Sequence, residues 1–250
     1  MPAIAILASL LKWDLIQINC QRMESKGFSM SEQAMVLFGV SNILSDIYDC
    51  CRARQKKVTR IVMNIPEEAD ERTKGFETRL QELNEHPLII PLADFVPGEG
   101  EEYFVVPTTP RKSVLVDFLR KTYHLEFAQL IHPTAYVSPY ARIGQGVFIG
   151  ANSVIAPGVI LRDHVFVNRG VTVGHDTVIH EYARLQPGCN VGGHVTVHAG
   201  ATIGMGSNVI EELVVGRGAV VAAGAAVIRD VEEMTLVSGV PAVFKKVCEA

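Results

Sequence analysis

A parallel β-solenoid preceded by a small α/β sheet is the architecture this sequence predicts, and three observations carry it. From position 131 to position 227 every sixth residue is Ile, Val or Leu, seventeen times in succession. Four residues after each comes a second set, from Ala135 to Val231, small or β-branched at every place but Leu213. Ahead of this stretch, two apolar runs at 34–38 and 58–63 flank an amphipathic segment at 43–55, which reads as a β-α-β opening.

The period decides the fold class. A helix repeats its apolar face every ~3.6 residues and a strand every two, so a period of six fits neither. It is the period of a hexapeptide solenoid, in which each unit is a short flat strand plus a turn. Three units close one triangular coil, and residues eighteen apart then stack. The first residue of a unit points into the prism, and the fifth faces inward near a corner where only a small side chain fits. Gly144, Gly150, Asn152, Gly204 and Gly206 occupy the second to fourth places, where tight corners favour φ > 0. No coil buries its apolar side alone, so stability is expected from stacking.

The first domain covers about residues 31–130. Its opening run ends at Gly39, followed by Ser41 and Asn42, and the segment after it is apolar at Ile43, Leu44, Ile47, Tyr48 and Cys51, a helical spacing. The second strand closes at Asn64. A helix at 76–84, strands at 87–90 and 103–106, and a basic amphipathic helix at 111–123 complete a small Rossmann-like sheet. Such an opening commonly starts a nucleotide-binding half-domain. The turn Gly39-Val40-Ser41-Asn42 is a poor glycine fingerprint, so a nucleotide site and a purely structural cap both stay open here.

Composition sets the bounds. The 250 residues are 48% apolar and 20% charged, an ordinary globular balance with room for two domains. A net charge of −4 gives no reason to propose a nucleic acid partner. Cys20, Cys50, Cys51, Cys189 and Cys248 are odd in number and lack CxxC spacing, as free thiols of a reducing cytoplasm do. No run approaches the ~18 apolar residues of a membrane span. Residues 3–11 resemble a signal-peptide core but lack a basic flank and a small-residue cleavage site. Residues 1–30 match nothing that follows: either Met30 is the biological start, or they form a genuine extension. The expected plan is 1–30 extension, 31–130 α/β domain, 131–231 solenoid and 232–250 tail.

A solenoid needs no histidines outside its core, yet this one carries His164, His175, His180, His194 and His198. Stacking at eighteen residues puts His175 under Gly193, Asp176 under His194 and His180 under His198. A histidine beside a carboxylate has its orientation fixed and its basicity raised, as a general base requires. A glycine N–H one coil above is placed to stabilise an oxyanion. A lone surface histidine is ordinarily just solvated, and this pairing sets His175 apart.

Segment Asn168-Arg-Gly-Val-Thr-Val-Gly174-His175-Asp176, followed by Gly188-Cys-Asn-Val-Gly-Gly193, resembles bacterial sugar acyltransferases of the left-handed β-helix superfamily. More narrowly it is similar to the sialic-acid O-acetyltransferases and the N-acetyltransferases of bacillosamine, viosamine and perosamine nucleotides. Ile131-His-Pro-Thr-Ala135, Val237-Ser-Gly-Val-Pro-Ala242 and the domain order share the likeness, which covers about residues 34–247. The resemblance implies His175 as general base, Asp176 as its orienting carboxylate, Asn168 as a positioning group and Gly193 N–H as oxyanion donor. It implies acetyl-CoA as acyl donor and no metal. Arg184, Gly193, Met205 and Ala223 would lie along the cofactor, with Lys245 and Lys246 as candidates for its phosphates. It also implies a homotrimer, and a nucleotide-sugar acceptor held by Gly39, Ser41, Asn42, Asn64 and Arg111.

The chain departs from that pattern in places. Arg184 stands where relatives often carry a second histidine, Asn42 replaces a glycine of the first turn, and Met63-Asn64 replaces an acidic strand end. The expected activity is acetyl transfer to the amine of a nucleotide-linked amino sugar, with sugar O-acetylation as the alternative. From another class, His175-x4-His180 also resembles the γ-class carbonic anhydrases, which bind zinc through three histidines across a trimer interface. The usual lower-coil histidine is Arg162 here. A catalytically silent solenoid is the third possibility.

Overall fold

The computed structural model describes residues 33–64 and 75–248, so the alternatives for 1–30 lie outside the described residues. Four parallel strands form the first sheet: β1 (Gln33–Phe38), β2 (Lys56–Met63), β3 (Leu88–Pro91) and β4 (Glu102–Val105). Their order is β3-β2-β1-β4. Helices α1 (Leu44–Ala53) and α2 (Phe76–Leu83) cover one face, with Met35, Leu37, Ile47 and Leu80 in one cluster. Helix α3 (Lys112–Tyr123) covers the other, where Val36, Phe38 and Val62 meet Leu115, Val116 and Leu119. These elements fall where the periodicity predicts them, with ends shifted by about two residues at most. From β1 the chain steps outward to β2 and β3 and then crosses to β4 on the other side of β1, which makes the carboxyl ends of β1 and β4 a topological switch point.

The solenoid follows as two-residue strands recurring every six residues, from β5 (Leu130–Ile131) to β21 (Ala226–Val227). They stack into three parallel sheets of a left-handed β-helix. The first face carries Ile131, Ile149, Val167, Leu185, Ile203 and Val221. On the second are Val137, Ile155, Val173, Val191, Val209 and Val227, and on the third Ile143, Leu161, Ile179, Val197 and Val215. From Ile149 onward all these inward residues are buried, whereas Ile131, Val137 and Ile143 are half-buried because no coil lies beneath them. Each buried Val, Ile or Leu contributes about 1.5–3 kcal/mol.

Corner chemistry differs from the expectation in one respect. Positive φ is confined to the fourth residue of a unit, at every corner from Gly146 to Gly224, and includes Asn152, His164, Asp176, Tyr182 and His194. Gly144, Gly150 and Gly204 sit at the second place, where φ is not positive. They are small because the next coil passes too close: a Cβ on Gly204 would lie 2.6 Å from Ala223 N. The two kinds of glycine answer to two constraints, backbone torsion and inter-coil approach.

A second difference concerns His164. It is fully buried rather than outward, its ring stacked on Tyr182 at 5.4 Å and set edge-on to Phe127 at 4.9 Å. Both its nitrogens lack a hydrogen-bond partner, and burial, with Lys112 and Arg120 nearby, pushes its pKa down to about 3. The cause lies in the α/β domain, which docks on the first face and roofs this corner. Outward residues Leu130, Phe148 and Phe166 join the cluster of Met35, Leu44 and Phe104, with Phe148 and Phe166 stacked at 5.1 Å. Arg120 of α3 donates to Asp163 at 3.0 Å, and Arg169 pairs with Asp46 of α1 at 3.3 Å.

Beyond position 231 the chain adds two more strands, β22 (Thr235–Ser238) and β23 (Val243–Val247). β22 runs parallel to β20 (Val220–Val221), and β23 turns back antiparallel at the edge of the same sheet. Lys245 and Lys246 lie on this exposed strand.

Candidate active site

The corner between the second and third faces brings together the residues with most chemistry. Val173 anchors the unit inside, Gly174 begins the turn, His175 stands at its tip, and Asp176 takes the left-handed conformation with φ 56. Aspartate tolerates that torsion better than most side chains. It lets the carboxylate fold back onto its neighbour, and His175 Nδ1 lies 3.0 Å from Asp176 Oδ2. An Nδ1–H donating to this carboxylate leaves the Nε2 lone pair outward, the tautomer a base needs. Gly158, one coil below, gives Asp176 its room, since a Cβ there would strike Oδ1.

Nε2 faces Gly193. A Cβ on Gly193 would stand 2.9 Å from Nε2, and one on Gly174 would stand 2.5 Å from Gly193 N. Two glycines thus let ring and peptide approach without an intervening side chain. Among the described residues the N–H of Gly193 donates to no backbone acceptor, because coil-to-coil bonds use the N–H groups on either side of it, those of Gly192 and His194. Its peptide is fixed from within. Thr177, fully buried, donates from Oγ1 to Gly192 O at 2.8 Å and accepts from Val195 N at 3.2 Å. An unused N–H held beside an oriented imidazole is an arrangement for charge that develops on an oxygen. His194 completes the corner, its ring edge-on to His175 at 5.0 Å.

Donor atoms of His175, Asp176 and His194 lie within 4.8 Å of one another, close enough to share a metal ion, and all three side chains are exposed. The zinc arrangement considered from sequence is a different one. His180 stacks on His198 at 5.1 Å on the corner between the third and first faces, away from His175. Burial lowers the basicity of His180, and within one chain these histidines do not converge with His175.

Other expected site residues lie elsewhere. Asn168 is buried on the corner between the first and second faces, where its Oδ1 accepts from Arg169 N at 2.8 Å. Met205 and Ala223 stack on that same corner, with Gly224 N donating to Met205 O at 2.8 Å. Arg184 is on the first face, giving two hydrogen bonds to Thr202 Oγ1 at 3.2 and 2.9 Å. One chain therefore does not place Arg184, Met205 or Ala223 against His175.

In the α/β domain, Gly39 follows β1 with φ 73, where a Cβ would meet Pro107 and Asn64 Oδ1. Asn64 and Arg111 line a cavity of about 430 Å³ at the carboxyl ends of the strands, together with Leu92, Pro107, Thr109, Lys112 and Leu115. Ser41 and Asn42 are engaged differently: Arg79 donates to Asn42 O at 2.6 Å and to Asn42 Oδ1 at 3.1 Å.

Sequence reasoning missed Gly158, Gly174, Thr177 and Lys112. Two had a signal. Thr177 is a hydroxyl in an inward column that is mostly apolar, and Lys112 continues the apolar stripe of Leu115, Val116 and Leu119 at helical spacing.

Among the described residues no helix is long and apolar enough to cross a membrane. Residues 140–175 match the family model described as bacterial transferase hexapeptide (six repeats). No curated protein sequence matches the chain. Among solved structures, the acetyltransferase domain of PglB from Neisseria gonorrhoeae FA1090 is similar at 26% identity and a TM-score of 0.72, covering 86% of this chain and 100% of that one. The same domain in complex with acetyl coenzyme A gives a TM-score of 0.73 at 26% identity, again over 86% and 100%. A mutant of perosamine N-acetyltransferase from Caulobacter crescentus, in complex with CoA and GDP-perosamine, gives 26% identity and 0.74, over 85% and 97%. The chain thus carries the bacterial transferase hexapeptide repeat over residues 140–175 and shares its two-domain fold with solved acetyltransferases, one of them bound to a nucleotide sugar.

Proposed function

We propose that this protein transfers an acetyl group from acetyl-CoA to the amine of a nucleotide-linked amino sugar, with His175 as general base. The observation that carries it is the pairing of an Asp176-oriented imidazole with the unused N–H of Gly193. His175 Nε2 takes a proton from the acceptor nitrogen as that nitrogen attacks the thioester carbon. Gly193 N–H donates to the carbonyl oxygen as it gains negative charge. The tetrahedral intermediate then expels the CoA thiolate, which receives the proton from the imidazolium. General-base assistance of this kind supplies about 10²–10⁴ in rate. The relatives crystallised with acetyl coenzyme A, or with CoA and GDP-perosamine, support the choice of donor and acceptor class.

The acceptor reading places the nucleotide moiety at the switch point, with Asn64 and Arg111 on the cavity wall and Gly39 beside it. Met205, Ala223 and Arg184 lie on parts of the coil remote from His175, and we assign them to the cofactor path of a site shared between chains. The exposure of His175, 61% of its side chain, suits a base completed by a neighbouring subunit in a homotrimer. The free cysteines Cys50, Cys51, Cys189 and Cys248 and a CoA donor fit a cytoplasmic setting.

Thiol release from acetyl-CoA, measured against a panel of nucleotide amino sugars and free sialic acid, tests the proposal. Turnover with an amino nucleotide sugar, reduced at least a hundredfold in His175→Ala, is the expected result. Turnover of sialic acid alone converts the assignment to O-acetylation, and an unaffected His175→Ala removes the base.

A further inference from the structure

Lys112 opens α3 and is only 5% exposed, yet its side chain forms no hydrogen bond or ion pair among the described residues. A lysine so largely withdrawn from water with no partner is costly, and proteins normally pair or neutralise such groups. The nearby charges make matters worse. Arg184 approaches from the solenoid, and Lys112 in turn acts on the buried His164. Burial first, then Arg184, pushes the Lys112 pKa down to about 7. Its neighbour Arg111 is exposed and also lines the cavity of about 430 Å³, beside Thr109 and Asn64. Among the described residues the cavity wall presents two cations, a hydroxyl and an amide, and no carboxylate. That is a surface prepared for an anion.

We propose that Lys112 is the receptor for an anionic oxygen of the acceptor, a phosphate or a carboxylate, bound in the cavity at the carboxyl ends of β2, β3 and β4. This rests on the reading that the cavity takes the acceptor. It adds a requirement that the acceptor be charged, and it makes acceptor binding depend on pH. The lysine binds an anion only when protonated. Affinity is full below pH 7 and falls above it as the lysine loses its charge.

Equilibrium binding without turnover tests this, using UDP-N-acetylglucosamine, GDP-mannose, dTDP-glucose and N-acetylneuraminic acid as anionic probes. Free N-acetylglucosamine and mannose serve as the neutral controls. At least one anionic probe binds wild type and the neutral sugars do not; the arm that binds separates a diphosphate from a carboxylate. Lys112→Met weakens that probe at least tenfold, and wild-type affinity falls on the order of tenfold from pH 6 to pH 8.5 but stays flat in the variant. Lys112→Met melts no lower than wild type without ligand, because a largely desolvated, unpartnered cation has been removed; K112Q replaces it should K112M not fold. Equal affinity of K112M and wild type, or no binding of any anionic probe to wild type, overturns the proposal. Acetyl transfer is read separately, so Lys112-dependent binding without turnover would sink the functional assignment alone.

Discussion

Nε2 of His175 stands so near Gly193 that a single added carbon there would lie 2.9 Å from it. The contact joins residues eighteen apart and exists only because two coils stack in register. Gly193→Ala keeps an allowed backbone but forces the imidazole aside. We expect kcat to fall at least a hundredfold with a change in melting temperature of a few degrees at most. Activity within threefold of wild type would show that the ring does not work in this position.

Thr177 acts on the same peptide from inside the prism. Thr177→Val keeps the shape but strands Gly192 O and Val195 N, a loss of about 1–3 kcal/mol. A structural role alone lowers stability. If the hydroxyl also aims Gly193 N–H, kcat falls while the KM for acceptor holds, and Thr177→Ser restores both. Steady-state kinetics of the two variants beside their melting curves separate the cases.

His175, Asp176 and His194 form a corner that a soft divalent ion can enter. A base that works through a free Nε2 is blocked by such an ion. Added zinc is expected to inhibit reversibly, His194→Ala to weaken that inhibition, and EDTA to leave wild-type turnover unchanged. Loss of activity in EDTA, restored by zinc, would instead reveal a metal-dependent reaction.

His164 sets an acid limit on stability. The unfolded imidazole takes up a proton near pH 6.5, whereas the folded one resists until about pH 3. Below 6.5 the unfolded state binds more protons, so stability falls as pH falls, by at most about 1.4 kcal/mol per unit. Denaturant titrations at pH 7 and pH 5 should show a larger drop for wild type than for His164→Asn, which suits the left-handed backbone there. Equal drops would contradict the buried, uncharged state.

Much of this was legible in the residues, for a physical reason. Inward positions of a solenoid obey one rule repeated at Ile149, Val167 and Leu185, so the period alone fixes them. The pairing of His175 with Gly193 follows from the same count. What the period does not encode is the exterior. Phe148 and Phe166 are apolar outward residues, and only the docked α/β domain explains them, together with the burial of His164. Lys112 reads as one more cation of a basic helix until its surroundings are known. Glycines at the second and fourth places of a unit look alike in sequence, and inter-coil distance distinguishes them.

The register of the coils also restricts how this chain can change in length. Between His175 and Gly193 the backbone completes one circuit of the three faces. Adding or removing a single six-residue unit there would preserve every inward residue and the fold, yet carry Gly193 to a different corner. Even a whole added circuit would return Gly193 to the right corner but one coil too far from His175, about 4.8 Å further along the axis. The separation of eighteen residues is therefore fixed, and natural variation in size should be confined to whole circuits above and below the pair.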